Sequence, residues 1–245
     1  MTTTAPHIEI MRTVFPVLAL NRELHGQAAR PDCFGTAFAV APNVFMTAAH
    51  VLDAASATGK VAIGGPMSGE GVPLMGAVPA DAIERWPDCD IGLVFCNAPG
   101  VTILDHWLTK PVQVLTDLST FGYPHAITPS PAGDRLNVIF RAYKGHVITT
   151  RGFDRLPSGP AVYEISVPFP EGLSGAPLLY SADNRLMVAG VVIGVETVTY
   201  GGAAHSVGVA MIADEIAGLH SERLKGNIAE VLGFIGVTVT FEPPA

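Results

Sequence analysis

Short apolar, β-branched segments recur along the chain, separated by clusters of Gly, Pro, Asn and Asp. Segments of this length, bounded by turn-forming residues, are typical of β-strands. The pattern predicts strands over residues 12–20, 34–40, 43–47, 60–64, 91–96, 116–122, 137–149, 161–167, 176–181, 186–197 and 206–212. Many short strands at regular spacing favour a sandwich or a barrel over an α/β fold.

The C-terminal part of the chain departs from this β pattern. From residue 211 to about residue 233 apolar residues recur at helical spacing, which predicts one or two closing helices. VTVTFE at 237–242 predicts a last short strand, which either packs on its own barrel or offers an edge to a partner. A connector at 96–115 contains Gly and Pro and separates two groups of strands. We therefore expect a division of the chain into 1–113, 114–220 and 221–245.

The composition is that of a folded globular protein. Apolar residues make up 49% of the 245 residues and charged residues 15%, so the chain is not disordered. The formal net charge is −8, which argues against nucleic acid as a partner. No apolar run reaches the roughly 18 residues that a membrane span needs, so we expect no membrane partner.

The cysteines and the N-terminus indicate a reducing compartment. Cys33, Cys89 and Cys96 are too few for a complete disulfide framework and lack the CxxC spacing of metal sites. The first residues, MTTTAPHIEIMRTVF, lack the basic start and apolar centre of a signal peptide. We therefore expect a cytoplasmic protein. We expect neither metal nor cofactor, since no ligand cluster or phosphate loop stands out in the sequence.

Three segments carry residue types suited to nucleophilic catalysis. GTAFAVAPNVFMTAAHVL has small residues before His50, and DCDIGLVF has Asp90 at the mouth of an apolar strand. EGLSGAPLLY holds Ser174 in a glycine-rich turn that can direct backbone N–H groups to one point. Taken singly, each has an ordinary alternative: a core histidine, an exposed turn carboxylate with Asp88 as competitor, and a plain loop serine. Together they give His, Asp and Ser in the chain order of one known class of serine hydrolases.

Six motifs in matching order make the sequence resemble the chymotrypsin/trypsin-like serine proteases, and within them the compact bacterial HtrA/Deg-like or V8-like branch without a PDZ domain. They are TAAH (47–50), DIGL (90–93), FGYP (121–124), GLSGAP (172–177), VAGVVIGVET (188–197) and SVGVAMIADEI (206–216). The resemblance implies an all-β fold of two six-stranded antiparallel β-barrels with a C-terminal helix. The first barrel would carry His50 and Asp90, and the second would carry Ser174.

The resemblance also implies a role for each site residue. Ser174 would attack the scissile carbonyl, His50 would take the serine proton, and Asp90 would orient the histidine. Backbone N–H groups of Gly172 and Ser174 would form the oxyanion hole. The floor of the specificity pocket, six residues before the serine, would be a residue without charge, which disfavours Lys or Arg and leaves an apolar or small residue by elimination. The implied substrate-binding residues are Pro168, Val192, Ile193, Gly194 and Val195, the last three along the strand to which substrate backbone would add.

Leu173 departs from the family pattern. Animal trypsins carry an aspartate just before the nucleophile, and HtrA-type enzymes usually carry an asparagine. A bulky residue at this position biases the conformation of the loop. A loop conformation that turns the Gly172 amide away from the site would give a gated enzyme. We expect a serine endopeptidase that acts on a protein or peptide substrate, with narrow specificity or with an activating protein partner. The competing hypotheses are a catalytically silent binding or scaffold protein on the same fold, and an esterase with the same triad.

Overall fold

The computed structural model describes residues 10–20, 31–65, 74–124, 127–129, 136–153, 159–182, 185–234 and 238–240. Strands dominate it, as the hydrophobic pattern predicts, and the helices are short. The strands before residue 96 are β1 (Val14–Leu20), β2 (Pro31–Ala41), β3 (Val44–Ala48), β4 (Lys60–Gly64), β5 (Leu74–Ala77), β6 (Ile83–Trp86) and β7 (Ile91–Phe95), and helix α1 (Ala49–Thr58) follows β3.

These strands form a single antiparallel sheet in the order β5-β4-β1-β2-β3-β7-β6. Side chains alternate between its two faces, as the pleat of a strand requires. In β1, Phe15 and Val17 point into the core enclosed by this sheet, whereas Val14 points into the core shared with the rest of the molecule. The sheet therefore has apolar side chains on both faces, which explains the long apolar runs in the sequence.

The later elements are β8 (His106–Leu108), β9 (Asp117–Gly122), β10 (Ile127–Pro129), β11 (Leu136–Val138), β12 (Arg141–Gly152), β13 (Ala161–Ile165), β14 (Pro177–Ala182), β15 (Arg185–Tyr200), β16 (Ala203–Ile212), α2 (Ala213–Ala217), β17 (His220–Ser221), β18 (Gly226–Asn227), α3 (Ile228–Phe234) and β19 (Thr238–Thr240). Strands β14, β9, β12, β13, β16 and β15 pair in succession. A further pairing of β14 with β15 closes them into a six-stranded antiparallel barrel. The predicted trypsin-like, mostly β fold is confirmed, and its first sheet has seven strands among the described residues.

Two short parallel strands extend the second sheet, which the sequence pattern did not predict in this form. β8 pairs in parallel with β15 at Trp107 and Val188, and β19 pairs in parallel with β8. The C-terminal strand therefore adds to its own chain. β8 precedes residue 113 and yet joins the second sheet; the division of the chain at 113 and 220 stays a prediction.

The segment at 211–233 forms two helices, α2 and α3, separated by the β17–β18 hairpin. This hairpin packs on β6, the strand that leads into the turn before Asp90. The indole N–H of Trp86 donates to the carbonyl of His220 at 3.0 Å. Glu84 accepts hydrogen bonds from the Ser221 hydroxyl at 2.5 Å and from the Arg223 amide at 3.1 Å. The C-terminal hairpin thus braces the side of the first sheet that positions Asp90.

A shared core joins the two sheets. Phe38 of β2 stacks on Trp107 of β8 with ring centroids 6.0 Å apart. Met46 of the first sheet and Val191 and Met211 of the second belong to the same buried cluster. Residues at the ends of the facing strands are therefore held at fixed relative positions. Within the described residues, no helix combines the length and apolar character needed to cross a membrane.

Candidate active site

His50 lies at the start of α1, directly after the strand β3. Backbone N–H groups in the first turn of a helix have no partner within the helix. The N–H of His50 donates to Oδ1 of Asp90 at 2.9 Å, so this carboxylate satisfies one of them. The other carboxylate oxygen, Oδ2, lies 2.6 Å from Nδ1 of the His50 ring. The ring is 48% exposed and the carboxylate 16%, so the pair faces solvent from the histidine side.

Asp90 occupies a strained position between a turn and a strand. It follows the 3₁₀ turn Pro87–Cys89 and has φ 52°, in the left-handed region that Asp and Asn enter more readily than most residues. Its carbonyl accepts the N–H of Ala49 at 3.1 Å, which ties the turn to the start of α1. Of the two carboxylates in this turn, Asp90 contacts His50, whereas Asp88 is exposed to solvent.

Two successive turns that share Leu173 form the loop around Ser174, which lies in the second of them. The N–H of Leu173 donates to Pro170 at 3.1 Å, and the N–H of Ala176 donates to Leu173 at 2.9 Å. Each turn has a glycine with positive φ at its third position, Gly172 at 92° and Gly175 at 86°. This is the geometry of a type II turn, which requires a residue that tolerates positive φ there. The glycines of GLSGAP are thereby explained by backbone conformation.

The Ser174 loop packs against the elements that carry His50. The carbonyl of Ser174 accepts the N–H of Thr36 in β2 at 2.9 Å. A Cβ on Gly35 would lie 2.6 Å from the Val51 side chain and 2.8 Å from the Ser174 carbonyl. The absence of a side chain at Gly35 therefore lets the loop approach the residue that follows His50. The structure brings all three predicted residues, His50, Asp90 and Ser174, to one junction between the two sheets.

Two N–H groups of this loop have no hydrogen-bond partner among the described residues. No hydrogen bond joins the N–H of Gly172 or of Ser174 to another residue in the part of the chain that the structure describes. The same holds for the Ser174 hydroxyl among those residues. Catalytic hydrogen bonds of resting hydrolases are often long and shorten only in the complex with substrate.

Comparison with known protein families decides the family. The model of the trypsin-like peptidase domain matches residues 35–191, which include all three of these residues. The chain belongs to the trypsin-like peptidase domain family. The motifs in the sequence had predicted this family, and the prediction is confirmed. No curated protein sequence matches the chain significantly.

Solved structures share the fold of this trypsin-like peptidase domain. The active form of the Rv3671c protease from M. tuberculosis superposes with a TM-score of 0.56 at 20% identity, covering 98% of this chain and 85% of that one. The inactive form of the same protease gives a TM-score of 0.55 at 20% identity, with coverages of 92% and 90%. A serine-to-alanine mutant of Rv3671c in an inactive form gives 0.54 at 20% identity, with coverages of 99% and 94%.

Of the five predicted substrate-binding residues, four lie on the central part of β15. Ile193 is buried, Gly194 has φ 154° beside an irregularity in the β15–β16 register, and Val195 is 51% exposed. Val192 is fully buried in the barrel core. Pro168 is exposed to solvent, and its role as a pocket floor stays a prediction.

Phe169 is a residue of this peptidase domain that the sequence pattern did not single out. It is 3% exposed and belongs to the core of the second barrel. A Cβ on Gly208 would lie 2.5 Å from the Phe169 ring, so the ring occupies the space that a side chain at Gly208 would need. The Phe-Pro pair before the nucleophile loop gave no chemical signal that could have identified this contact.

Thr36 is the second residue that sequence reasoning missed. It is fully buried, and its backbone N–H and side-chain hydroxyl both donate to the Ser174 loop. A lone threonine after glycine in an apolar strand resembles any β-strand threonine. Its role depends on a partner 136 residues away along the chain, which no local pattern encodes.

A partly buried ion cluster supports the strand that carries the predicted substrate-binding residues. Arg151 Nε lies 2.6 Å from Oε1 of Glu164, and its NH2 lies 2.6 Å from Oε1 of Glu196, the residue after Val195. Burial lowers the pKa of Arg151, but the hydrogen bonds to Glu164 and Glu196 outweigh this effect and raise it. The cluster ties β12, β13 and β15 together, directly after the predicted substrate-binding residue Val195.

Proposed function

We propose that this protein is a serine endopeptidase that acts through His50, Asp90 and Ser174. One observation carries the proposal: the Asp90 carboxylate holds the His50 ring by Nδ1 at 2.6 Å, with the Ser174 loop packed beside the first turn of the helix that contains this histidine. A histidine held by Nδ1 presents its other ring nitrogen as the base. Ser174 Oγ attacks the scissile carbonyl while His50 accepts its proton, and Asp90 stabilises the imidazolium.

The N–H groups of Gly172 and Ser174, which have no partner among the described residues, fit the role of an oxyanion hole. As the carbonyl carbon becomes tetrahedral, its oxygen gains negative charge, and two preorganised N–H donors stabilise that charge. His50 then donates the proton to the leaving amine, which completes the acyl-enzyme. Water attacks the ester in the second half of the reaction, with His50 again as base. The steps require no metal or cofactor.

The described part of β15 supports a peptide as substrate. Val195 is 51% exposed on β15, and beyond Val191 no described strand pairs with β15 on the side opposite β16. An extended peptide can add to such a strand edge by backbone hydrogen bonds. Gly194 leaves room for side chains of the peptide, since a Cβ there would meet no atom within 4 Å. A small ester would not need this surface, so the strand favours an endopeptidase over an esterase.

The cysteines are poor alternatives to Ser174 as nucleophile. Burial raises the pKa of the Cys33 thiol to about 12 and that of Cys96 to about 11, and burial raises the pKa of Cys89 as well. Thiols act as nucleophiles in the thiolate form, which these groups do not reach near neutral pH. The proposed mechanism is therefore that of a serine enzyme.

The experiment is a cleavage profile on a proteome-derived peptide library, comparing the wild type with Ser174→Ala. We expect new peptide termini only with the wild type, and a narrow consensus around the cut. Iodoacetamide treatment of the wild type at pH 7.5 should leave the cleavage intact. Cleavage that persists in Ser174→Ala would contradict the proposal.

A second arm separates the remaining functions. If the wild type cleaves no peptide in the library, it is first incubated with a short acyl ester. Its peptide cleavage is then assayed again in the presence of fractionated protein partners. Turnover of the ester with no peptide cleavage would identify an esterase, and peptide cleavage only with a partner would identify a partner-activated protease. No turnover in any condition would favour the binding or scaffold protein.

A further inference from the structure

Thr36 connects the first sheet to the Ser174 loop by two hydrogen bonds. Its backbone N–H donates to the Ser174 carbonyl at 2.9 Å, and its hydroxyl donates to the Gly172 carbonyl at 2.8 Å. Its own carbonyl accepts the Thr47 hydroxyl at 2.7 Å. The residue is fully buried, so water does not compete for these groups.

The hydrogen-bond inventory fixes the direction of the Thr36 hydroxyl. A threonine hydroxyl has one hydrogen to donate and two lone pairs to accept with. The N–H of Tyr123 donates to Thr36 Oγ1 at 3.0 Å, and an amide can only be the donor in this pair. The single hydroxyl hydrogen is therefore committed to the Gly172 carbonyl. Gly122 makes room for this arrangement, since a Cβ there would lie 2.6 Å from Thr36 Oγ1 and 2.7 Å from Leu173.

These contacts fix the two peptide planes that flank the Leu173–Ser174 peptide. The peptide between Gly172 and Leu173 has its carbonyl on the Thr36 hydroxyl and its N–H on Pro170. The peptide between Ser174 and Gly175 has its carbonyl on the Thr36 N–H and its N–H on Val192, at 2.7 Å. Because peptides are planar, the unit between them, which carries the Ser174 N–H, has little freedom to rotate.

Of the Thr36 groups that bond to the Ser174 loop, the hydroxyl is the one that a substitution can remove. Without it, the Gly172 carbonyl becomes a buried acceptor that has lost its partner, which is unfavourable. The loop can relieve this by rotating the peptide between Gly172 and Leu173. That rotation carries the Leu173 N–H away from Pro170 and opens the first type II turn. The N–H of Gly172 then loses its fixed direction.

We propose that Thr36 is a positioning residue of the nucleophile loop, whose hydroxyl holds the Gly172 and Ser174 N–H groups in the arrangement that stabilises an oxyanion. This inference rests on the proposed function. Thr36 does not touch the substrate. Its effect therefore falls on the step in which negative charge develops and leaves substrate binding unchanged.

The test compares Thr36→Val, which keeps the shape of the side chain and removes the hydroxyl, with Thr36→Ser, which keeps the hydroxyl. Thr120→Val is the matched control, because Thr120 is also fully buried on a strand and its hydroxyl has no hydrogen-bond partner among the described residues. For a peptide that the wild type cleaves, kcat and KM are measured at least 10 °C below the lowest Tm of the set. Removal of one oxyanion donor costs about 10²–10³-fold in kcat, so misalignment should cost about 10- to 100-fold.

We expect Thr36→Val to lower kcat by this factor with KM within about threefold, Thr36→Ser to restore most of kcat, and Thr120→Val to match the wild type. Affinity for a peptide boronic acid, which mimics the tetrahedral oxyanion, should fall in parallel with kcat. If Thr36→Val does not fold, Thr36→Cys replaces it, and its weakly donating thiol should give an intermediate kcat.

An unchanged kcat in the variant without the hydroxyl would overturn the inference, as would a loss confined to KM or equal losses in the valine and serine variants. For Thr36→Cys, a kcat equal to that of the wild type would overturn it. These results leave the proposed function standing, because the wild type cleaves in each of them. A wild type without Ser174-dependent turnover would overturn the proposed function and this inference with it.

Discussion

Asp90 holds His50 at two points at once. One carboxylate oxygen accepts the backbone N–H of His50 at 2.9 Å, and the other lies 2.6 Å from Nδ1 of the ring. The backbone contact fixes the carboxylate relative to the start of α1, and the ring contact fixes the imidazole relative to the carboxylate. The orientation of the histidine is thus built into the helix start and does not depend on the exposed face of the ring.

Replacement of this carboxylate by an amide should disable the enzyme without unfolding it. In Asp90→Asn the side chain keeps its shape, but an amide favours the wrong histidine tautomer and cannot stabilise the imidazolium. We expect kcat to fall on the order of 10⁴-fold. Steady-state kinetics on a cleaved peptide measure the effect, with Asp88→Asn, an exposed neighbour in the same turn, as the control. A loss of less than tenfold would show that Asp90 does not orient the base.

Leu173 anchors the Ser174 loop in the core of the second barrel, since its side chain is fully buried there. A buried apolar side chain can hold the loop where animal trypsins use a buried charge. We expect Leu173→Ala to lower the free energy of unfolding by about 2–5 kcal/mol and to lower kcat as well. Urea denaturation and peptide kinetics measure the two effects.

Leu118→Ala is the matched control for this anchor. Leu118 lies in the same core and is 1% exposed, but it belongs to β9 and not to the loop. We expect a comparable loss of stability with kcat retained. If both variants lose kcat equally, Leu173 has no specific role in positioning Ser174.

The partly buried Cys33 thiol should make the protein less stable at alkaline pH. Burial raises its pKa from 9.0 to about 12, and a backbone hydrogen bond at Gly35 opposes the shift only in part. A group with a raised folded-state pKa contributes stability that is complete below pH 9 and is lost as pH rises towards 12. We expect the free energy of unfolding to fall between pH 9 and pH 11, by up to about 1.4 kcal/mol per pH unit for this group.

Cys33→Ala tests the origin of this slope. Urea denaturation of both proteins in the presence of reductant, at pH 8, 9.5 and 11, gives the pH dependence. We expect a shallower decline in the variant, though not a flat one, because burial raises the pKa of Cys96 and Tyr163 too. Parallel curves for the two proteins would contradict the assignment.

The sequence predicted the elements that depend on local pattern. β1, β4 and β7 lie within two residues of their predicted bounds, because alternation and β-branched residues decide such strands. Short segments such as β6 and β8 were missed, since three or four residues carry too little periodicity. The predicted helical stretch at 211–233 is interrupted by a hairpin because Glu84 and Trp86 supply partners for its backbone and side chains.

The site shows the same contrast between what a local sequence pattern decides and what tertiary contacts decide. His50, Asp90 and Ser174 each lie in a recognisable motif, and the structure brings them to one junction. Thr36 and Phe169 lie in ordinary apolar segments, and their contacts form only when residues far apart in the chain meet. The sequence predicts gating by Leu173 from the bulk of its side chain in a loop. The effect of Leu173 on the loop depends on the burial of that side chain, and burial is a tertiary property.

The central claim is that Ser174 is an activated nucleophile. The most direct measurement is labelling of the wild type and of Ser174→Ala with a fluorophosphonate probe, with the adduct located by mass spectrometry. We expect one adduct, on Ser174 of the wild type, and none on the variant. A folded wild type that takes no label, or label on another residue that persists in Ser174→Ala, would contradict it.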